Sequence, residues 1–593
     1  MRLKLRWKAW RGLLLLAVLL LSSVSLVQSQ PQPGAAHAHT WTVCSEGCDY
    51  TSIQAAIDAA APGDTIQVGP GEYKENLMIK KSITLVGAGR EEEGKETVIE
   101  ALKEGYPVIR IASEEPIEVH LKGLVITGAF GWCADWPVCP NGLMAQGRAR
   151  VTLEDSRVSG NWDAGLYVRG SAILMLRNAE ISDNAVGVWV GDSAMVSLTS
   201  ARISGNRYDG LVIWGGAKVE VRESSFIDNK YCGVFVGSKE ARVEGLSNEM
   251  RGNGADLCGY APAHLRKPLV PQTKLTELSV PEDYADLQEA IDAIAPGGTI
   301  IVKPGIYSGS LTIWKPLILQ GLGPEQTTIE ALPERQLVIS VISEAPRVRI
   351  TGLTVTGGEE IGLLLWGTHD VSLKGNKVTG NGWVGLYLRD SCDVTVEENL
   401  IADNGYINPW TGGWGWGVYL NRAHGNHLIG NTVKWNGGGG IFLRDSRQNH
   451  IAQNTLEDNA PGHGDMVDTP SIATSGGIVL LRSDANAIEG NVLRGNTPYG
   501  IQLRFSSLNH VVGNWVGPSE REIWTMQLYV GIVIKGLSYS TDPGPRAFGN
   551  AIGHNTVVRC DAGGIWPFNP ATPPPLQRDE GQWNNRDRAH RLG

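Results

Sequence analysis

The chain has 593 residues, more than one ordinary globular domain holds, so a repeat architecture is the first possibility to test. It contains 52 basic and 62 acidic residues, a formal net charge of −10, and no basic cluster beyond its N-terminal segment. This balance offers no electrostatic attraction to nucleic acid, and we therefore expect no nucleic-acid partner.

The N-terminal segment has the pattern of an export signal. Five basic residues occur within the first 11 positions, and an apolar run follows over 13–27. We predict a signal peptide over 1–29 and a linker over 30–40. No later segment approaches about 18 uninterrupted apolar residues, so we expect a secreted or periplasmic protein without a membrane span.

A segment near residue 50 is repeated 234 residues later in the chain. The sequence YTSIQAAID at 50–58 reappears as YADLQEAID at 284–292, and a Pro-Gly pair and a Gly-x-Tyr triplet follow each copy at the same distance. The apolar residues of both copies follow helical spacing, which predicts a short amphipathic helix. Such a helix covers the open end of a solenoid.

A shorter repeat runs through both halves of the chain. A glycine followed by alternating large apolar residues recurs every 22 to 23 residues at Gly165, Gly187, Gly210 and Gly233. The second half continues the pattern at Gly362, Gly385, Gly417, Gly440, Gly477, Gly500 and Gly531. Each period has room for three short strands and their turns, which is one coil of a parallel β-helix.

Asparagine supplies a second repeat in the second half. Two series five residues apart run through successive coils: Asn426, Asn449, Asn486, Asn509 and Asn550, and Asn431, Asn454, Asn491, Asn514 and Asn555. Stacked amides hydrogen-bond from coil to coil, so we interpret both series as structural ladders.

Three close pairs of cysteines are candidates for disulfides in an exported chain. They are Cys44 with Cys48, Cys133 with Cys139, and Cys232 with Cys258. We expect Cys392 and Cys560 to be buried as small apolar residues. The alternative is that all eight thiols are free.

The opening of the chain resembles pectin-methylesterase-like members of the pectin-lyase superfamily, on the evidence of the first helix, its Pro-Gly turn, GEYKEN at 71–76 and ITLVGAG at 83–89. The Asn-x-Ile-x-x-Asn coils are similar to the NosD family and to carbohydrate-binding and sugar-hydrolase β-helices. The resemblance implies an all-β fold. We predict two tandem right-handed parallel β-helices over 41–260 and 277–566, a linker over 261–276 and a Pro-rich, charged tail over 567–593.

The catalytic motifs of those relatives are absent or incomplete in this sequence. Neither the aspartate motifs of pectin methylesterases nor the pectate lyase element occurs, and of the polygalacturonase elements only Gly462-His463-Gly464 is present. If the protein is an enzyme, His463, Asp465 and Asp468 are the candidate catalytic residues, because glycoside hydrolysis needs paired carboxyl groups. The alternative is that they are ordinary surface residues.

Three insertions interrupt the coils at one equivalent point, before the glycine that opens the next strand. They span 129–140, 405–416 and 460–476. Aromatic rings suit the face of a pyranose, so we predict an aromatic edge that binds an acidic polysaccharide, with Arg444 meeting a uronic acid. The candidate binding residues are Trp132, Asp135, Trp136, Trp162, Tyr208, Tyr231, Trp383, Trp410, Trp414, Trp416, Arg444 and Tyr499. The alternative is that the aromatics only cover loop backbone.

His427 and His450 follow ladder asparagines in successive coils and are the candidate metal ligands. The NosD resemblance implies copper, calcium is a second possibility, and no cofactor is required by the sequence. The leading functional hypothesis is a secreted, monomeric β-helix that binds, and in one version cleaves or modifies, an extracellular or cell-wall polysaccharide. The alternatives are a NosD-like periplasmic accessory protein for copper delivery and a structural or adhesive surface protein.

Overall fold

The computed structural model describes residues 38–89, 94–134, 138–246, 248–405, 415–460, 475–518, 530–535, 550–557, 565–568 and 583–584. The predicted signal peptide lies outside these ranges. Within them, no helix is long and apolar enough to cross a membrane.

Parallel β-strands make up almost all of the described structure, which confirms the predicted parallel β-helix. The chain winds through three faces per coil, and each strand pairs with its counterpart one coil away. Side chains alternate between the interior and the outside, so each coil stacks its apolar residues on those of the next. The interior is one continuous apolar core from Val43 to Val557.

The first group of strands occupies residues 40–259 and contains two sheets in the described part of the chain. Sheet A is formed by Thr40–Val43, Thr65–Val68, Leu77–Ile79, Ile83–Val86, Ile109–Lys122, Leu143–Glu154, Ala164–Val168, Ile173–Arg177, Val186–Val190, Met195–Thr199, Leu211–Ile213, Lys218–Arg222, Cys232–Val236, Arg242–Leu246 and Ala255–Gly259. Sheet B is formed by Gly71–Lys74, Thr97–Glu100, Leu124–Thr127, Arg157–Ser159, Glu180–Ser182, Arg202–Ser204, Ser225–Ile227 and Glu249–Arg251.

Sheet A covers two faces of the coil because two of its strands run through a corner. The first half of Leu143–Glu154 pairs with Ala164–Val168, and its second half pairs with Ile173–Arg177. We call the face that contains Ala164–Val168, Val186–Val190, Leu211–Ile213, Cys232–Val236 and Ala255–Gly259 the front face of sheet A.

The second group of strands occupies residues 277–584 and contains three sheets among the described residues. Sheet C is formed by Glu277–Val280, Thr299–Val302, Ile318–Gly321, Arg349–Thr351, His369–Lys374, Cys392–Glu397, His427–Ile429, His450–Ala452, Ala487–Glu489, His510–Val512 and Ala551–Gly553. Sheet D is formed by Gly305–Ser308, Thr327–Glu330, Thr354–Thr356, Lys377–Thr379, Leu400–Ala402, Thr432–Lys434, Thr455–Glu457, Val492–Arg494, Trp515–Gly517, Thr556–Val557 and the antiparallel Trp583–Asn584. Sheet E is formed by Leu311–Ile313, Leu337–Val341, Ile361–Trp366, Val384–Arg389, Trp416–Asn421, Gly439–Arg444, Gly476–Leu481, Tyr499–Arg504, Val530–Lys535 and Ile565–Phe568.

A short helix opens each group, at the two positions where the sequence predicts one. Helix α1 spans Ile53–Ala59 and helix α2 spans Leu287–Ala293. Ser52 and Asp286 cap them by accepting the N–H of the third residue on, which satisfies an otherwise unpaired donor. Each helix buries its apolar residues against the first strands of its group.

Buried asparagine ladders stabilise the corners of the coils. In a representative rung, Asn454 Nδ2 donates to the carbonyl oxygen of Leu428 and to Asn491 Oδ1, both at 2.9 Å. The structure adds a third ladder to the two predicted ones, at the corner before sheet E: Asn381, Asn404, Asn436, Asn459 and Asn496. These amides are satisfied by one another and by the backbone, which fits a structural role.

The two groups of strands pack against each other around residues 228–266 and 334–389. The ring of Phe235, on the front face of sheet A, lies 4.6 Å from that of Trp366 on sheet E, and the Arg389 guanidinium lies 4.0 Å from the Trp366 ring. The segment predicted as a linker contains a 3-10 turn at Ala263–Leu265, and Arg266 beside it is buried.

Three disulfides join the cysteine pairs that lie close in the sequence: Cys44–Cys48, Cys133–Cys139 and Cys232–Cys258. The expectation that Cys392 is buried is wrong. Cys392 starts a strand of sheet C at a corner of the coil, where its side chain points outward and is exposed. Cys560 lies outside the described residues.

Candidate functional site

One edge of the molecule collects most of the described candidate residues. It is formed by the turns that lead into the front face of sheet A and into sheet E. Backbone hydrogen bonds join these turns from coil to coil: Ala185 N–H to Asp163 O, Tyr208 N–H to Ala185 O, and Tyr231 N–H to Tyr208 O.

The same edge continues from the first group of strands into the second. The N–H of Gln336 donates a 2.8 Å hydrogen bond to the carbonyl oxygen of Lys230. From there the ladder passes to Glu360, to Trp383 and to Trp416. We call Asp163, Ala185, Tyr208, Tyr231, Gln336, Glu360, Trp383 and Trp416 the edge row. With about 4.8 Å per strand spacing, its seven steps span about 34 Å.

Two aromatic side chains on this edge are exposed to solvent. Trp162, directly before Asp163, is 53% exposed, and Tyr208 is 49% exposed. Arg207 holds Trp162 in place, because its Nη2 donates to the Trp162 carbonyl oxygen at 2.6 Å and its guanidinium lies 5.5 Å from the indole ring. Tyr231 and Trp383 follow along the edge and are partly exposed.

Trp416 and Tyr499 were predicted to bind a ligand on this edge, which requires their rings to be exposed. The structure contradicts this for both residues. Each is only 4% exposed. Trp416 begins a strand of sheet E and stacks on Phe442 at 4.7 Å, so its ring is used in packing. The periodicity placed both residues on the correct edge, but it does not distinguish a ring that lies on the outside from one that folds over its neighbour.

Of the remaining predicted binding residues, two are exposed in the structure and the others lie outside the described residues. Trp132 is 83% exposed beside the Cys133–Cys139 disulfide, and Arg444 is exposed at the end of its strand with Asp445 at 3.5 Å. Asp135, Trp136, Trp410 and Trp414, and the predicted catalytic residues His463, Asp465 and Asp468, lie outside the described residues.

Two acidic side chains with raised pKa values lie at the junction of the two groups. Burial raises the pKa of Asp209 to about 7, and the negative charge of Glu360 adds to the rise, while the Cys232 N–H, 3.0 Å from Oδ1, opposes it. Burial also raises the pKa of Glu360, helped by the charge of Glu359. Asp209 is therefore about half protonated near neutral pH, as an acid or base that exchanges protons with a ligand requires.

Other polar groups surround these two carboxyl groups. Burial raises the pKa of Tyr231 well above its ordinary value, and the nearby charges of Glu360 and Asp209 contribute, whereas Arg389 opposes the rise. Burial likewise raises the pKa of Asp163, which the Ala164 N–H and Arg207 counteract. The edge thus combines carboxyl groups, a phenol and guanidinium groups with aromatic rings.

Stacked aromatic rings line the outer side of sheet E next to the edge. Tyr387 stacks on Tyr419 at 4.9 Å, and Tyr419 on Phe442 at 5.0 Å. On the front face of sheet A, Tyr167 stacks on Trp189 at 4.4 Å. Most of these rings are buried, so they take part in packing next to the edge and are not open to a ligand.

Sequence reasoning missed Asp209 and Glu360, although a signal for Asp209 exists. Asp209 directly precedes Gly210, at a position where the neighbouring coils carry Val186 and Cys232. An acid in an otherwise apolar series is unusual. The sequence around Glu360 gives no comparable signal, because the surroundings of Glu360 depend on how the two groups of strands pack against each other.

The candidate metal ligands His427 and His450 are neighbours in register on the outer side of sheet C. Their ring centroids are 5.9 Å apart and the rings are perpendicular. Glu489 approaches His450, with 3.4 Å between Oε2 and Nε2.

Known proteins offer one matching family and several distant structural likenesses. No protein with a curated description matches the sequence. Among solved structures, ORF18 of Geobacillus virus E2 is 16% identical with a TM-score of 0.33, over 48% of this chain and 61% of its own. The A-module of a mannuronan C-5 epimerase from Azotobacter vinelandii is 16% identical with a TM-score of 0.23, over 82% and 95%. An alginate lyase from Paenibacillus sp. is 16% identical with a TM-score of 0.29, over 45% and 95%.

The family model described as the right-handed beta helix region matches residues 134–261 and 341–516. The two matches include more than half of the 593 residues. The chain therefore belongs to the right-handed β-helix family.

Proposed function

We propose that the protein is exported and binds an extracellular or cell-wall polysaccharide along the edge row. The observation that carries the proposal is the pair of exposed rings, Trp162 and Tyr208, on an edge that continues through Tyr231, Glu360 and Trp383. An aromatic ring offers a flat apolar face to a sugar ring and leaves the sugar hydroxyls free for polar partners. A row of about 34 Å accommodates several sugar residues.

Polar groups along the same edge fit sugar hydroxyls. Asp163, Asp209 and Glu360 are partly buried, so each bond to a hydroxyl forms where water competes less. Arg207 remains accessible on this edge for the carboxylate of a uronic acid, to which a guanidinium donates two parallel hydrogen bonds, and Arg444 is accessible at the far end of its strand of sheet E. This combination favours an acidic polysaccharide.

The half-protonated Asp209 supports a further step, in which the bound polymer is cleaved or modified by acid–base chemistry. Its pKa of about 7 allows it to donate a proton and to accept one near neutral pH. Glu360 is close enough for its negative charge to add to the effect of burial on that pKa.

The test is affinity electrophoresis of the mature protein in gels that contain neutral or acidic polysaccharides. Trp162→Ala and Tyr208→Ala should each weaken retardation by an acidic polymer about tenfold, near 1.4 kcal/mol, and should leave the melting temperature unchanged because both rings are exposed. The matched control is Trp515→Ala, on the outer side of sheet D.

Two results would contradict the proposal. Equal retardation of the wild type and both edge variants would show that these rings do not touch the polymer. Absence of retardation by every polysaccharide would favour the structural or adhesive hypothesis, in which the edge only covers the stacked aromatic rings.

A further inference from the structure

Arginines recur at the ends of the strands of sheet E, where the chain leaves the sheet. Arg389, Arg444 and Arg504 are the last residues of three strands. Asn421 and Leu481 hold the same position in the strands between them. The leucine before each arginine is buried in the core, so the arginines point outward. They recur at every second coil, about 9.6 Å apart, and we call these three residues the arginine row.

The next position along the chain carries charges that alternate in the opposite way. Asp390 and Asp445 follow arginines of the row, whereas Arg422 and Arg482 follow the intervening residues. Arg422 donates to both carboxylate oxygens of Asp390, at 2.6 and 2.7 Å. Arg482 donates to both oxygens of Asp445, at 2.7 and 3.0 Å. An arginine of the next coil therefore neutralises each of these aspartates.

This pairing leaves the row with an excess of positive charge. The Nε atoms of Arg389 and Arg444 lie 3.8 and 3.5 Å from the aspartate that follows each, which is longer than a hydrogen bond. Phe505 follows Arg504 in place of an aspartate. The two positions hold five arginines and two aspartates across these five coils, an excess of three positive charges on a chain whose formal net charge is −10.

Neighbouring aromatic side chains hold two of these guanidinium groups in position. Arg389 lies 4.0 Å from the Trp366 ring, and its Nε is buried without a hydrogen-bond partner in the described structure. Arg444 interacts with the hydroxyl of Tyr419, and 47% of its side chain is exposed. A cation that is already positioned loses less conformational entropy when it binds an anion.

We propose that the arginine row binds the carboxylates of a polyuronate, a polymer in which every sugar carries one acid group. The inference rests on the proposed function for the polymer, but on none of the residues of the edge row. An extended, ribbon-like 1,4-linked chain turns alternate carboxylates to the same side, and two linked sugars are close in length to two coils. A guanidinium donates two parallel hydrogen bonds to a carboxylate, so each arginine of the row suits one such group.

The arginine row and the edge row lie at opposite ends of the same strands. The strand Gly439–Arg444 has six residues, so its first and last residues are about 16 Å apart. Both rows run along the molecule from coil to coil. Their contributions to binding can therefore be tested separately.

The test is affinity electrophoresis of the mature protein in gels that contain polygalacturonate or the same polymer with its carboxylates methyl-esterified. Arg444→Met should weaken retardation by the charged polymer about fivefold and leave retardation by the ester unchanged. The matched control is Arg349→Met on sheet C, whose side chain is 49% exposed and lies 3.8 Å from Asp370. It should keep the retardation of the wild type.

Asp445→Asn gives a prediction of the opposite sign. The substitution removes the acid that holds Arg482, and asparagine tolerates the left-handed backbone at this position, where φ is 51°. Retardation by polygalacturonate should therefore strengthen about twofold.

Three results would overturn the inference. Equal effects of Arg444→Met and Arg349→Met would show that only the total charge of the protein acts. Weaker retardation of Asp445→Asn would contradict the excess of positive charge. If Trp162→Ala weakened retardation by polygalacturonate and Arg444→Met did not, the arginine row would be excluded while the proposed function of the edge row would stand.

Discussion

Arg266 and Asp292 form a buried ion pair at the junction between the two groups of strands. Nη1 of Arg266 donates to both carboxylate oxygens of Asp292, at 2.6 and 2.7 Å, and Asp292 belongs to helix α2. The same guanidinium binds Asp256 on the last front-face strand of sheet A. Arg266 therefore links the end of the first group to the opening helix of the second.

Loss of this arginine should destabilise the junction strongly. In Arg266→Met, the carboxylates of Asp256 and Asp292 stay buried without their cation, and we expect the free energy of unfolding to fall by about 3–5 kcal/mol. Urea denaturation measures this change in the free energy of unfolding. The matched control is Arg335→Met, whose partner Asp228 is exposed, and which should cost about 1 kcal/mol or less. Equal effects of the two variants would contradict a special role for Arg266.

Asp209 should make the stability of the protein depend on pH between about 4 and 7. Its pKa rises from 3.8 to about 7 on folding, so the folded chain binds more protons than the unfolded chain in this window. Stability is therefore lost as pH rises through the window. Asp209→Asn cannot ionise, and its stability relative to the wild type should increase by roughly 3 kcal/mol from pH 4 to pH 7.

The control for this titration is Asp183→Asn, which replaces an exposed aspartate at a turn that asparagine also tolerates. Its stability relative to the wild type should change little across the same window. If both variants gave the same pH profile, the burial of Asp209 would not be the cause.

The fold could be predicted from the sequence because its signals are periodic. Glycines such as Gly187 and Gly210 recur at the coil length, since a Cβ there would meet the backbone of the next coil. The apolar residues of helix α1 lie at the predicted spacing and are buried. Repetition over many coils makes such a signal robust.

We expect Asn454, a ladder asparagine in the middle of the second group of strands, to contribute strongly to the stability of the protein. Asn454 donates two hydrogen bonds, and its Oδ1 accepts the N–H and the Nδ2 of Asn431, both at 2.9 Å. Asn454→Ala leaves these partners buried and unpaired, and we expect a loss of roughly 2–4 kcal/mol in thermal or chemical denaturation. Gln320→Ala, at an exposed position of sheet C, is the control and should cost less than about 0.5 kcal/mol.

The candidate site was less accessible to sequence reasoning because it depends on contacts between distant coils. The sequence predicts that the turns before successive strands lie along one edge of the molecule. Trp162 and Tyr208 are exposed there. The burial of Trp416 follows from its stacking on Phe442, which no spacing rule describes. The interaction of Asp209 with Glu360 joins residues 151 positions apart across the junction.

The most direct test of the proposed function is hydroxyl-radical footprinting of the mature protein with and without a retained polysaccharide. Oxidation of each aromatic side chain is measured by mass spectrometry. The account predicts protection of Trp162, Tyr208 and Trp383, and unchanged oxidation of Trp515 on sheet D. A bound polysaccharide that leaves Trp162 and Tyr208 unprotected, or that protects Trp515 instead, would contradict it.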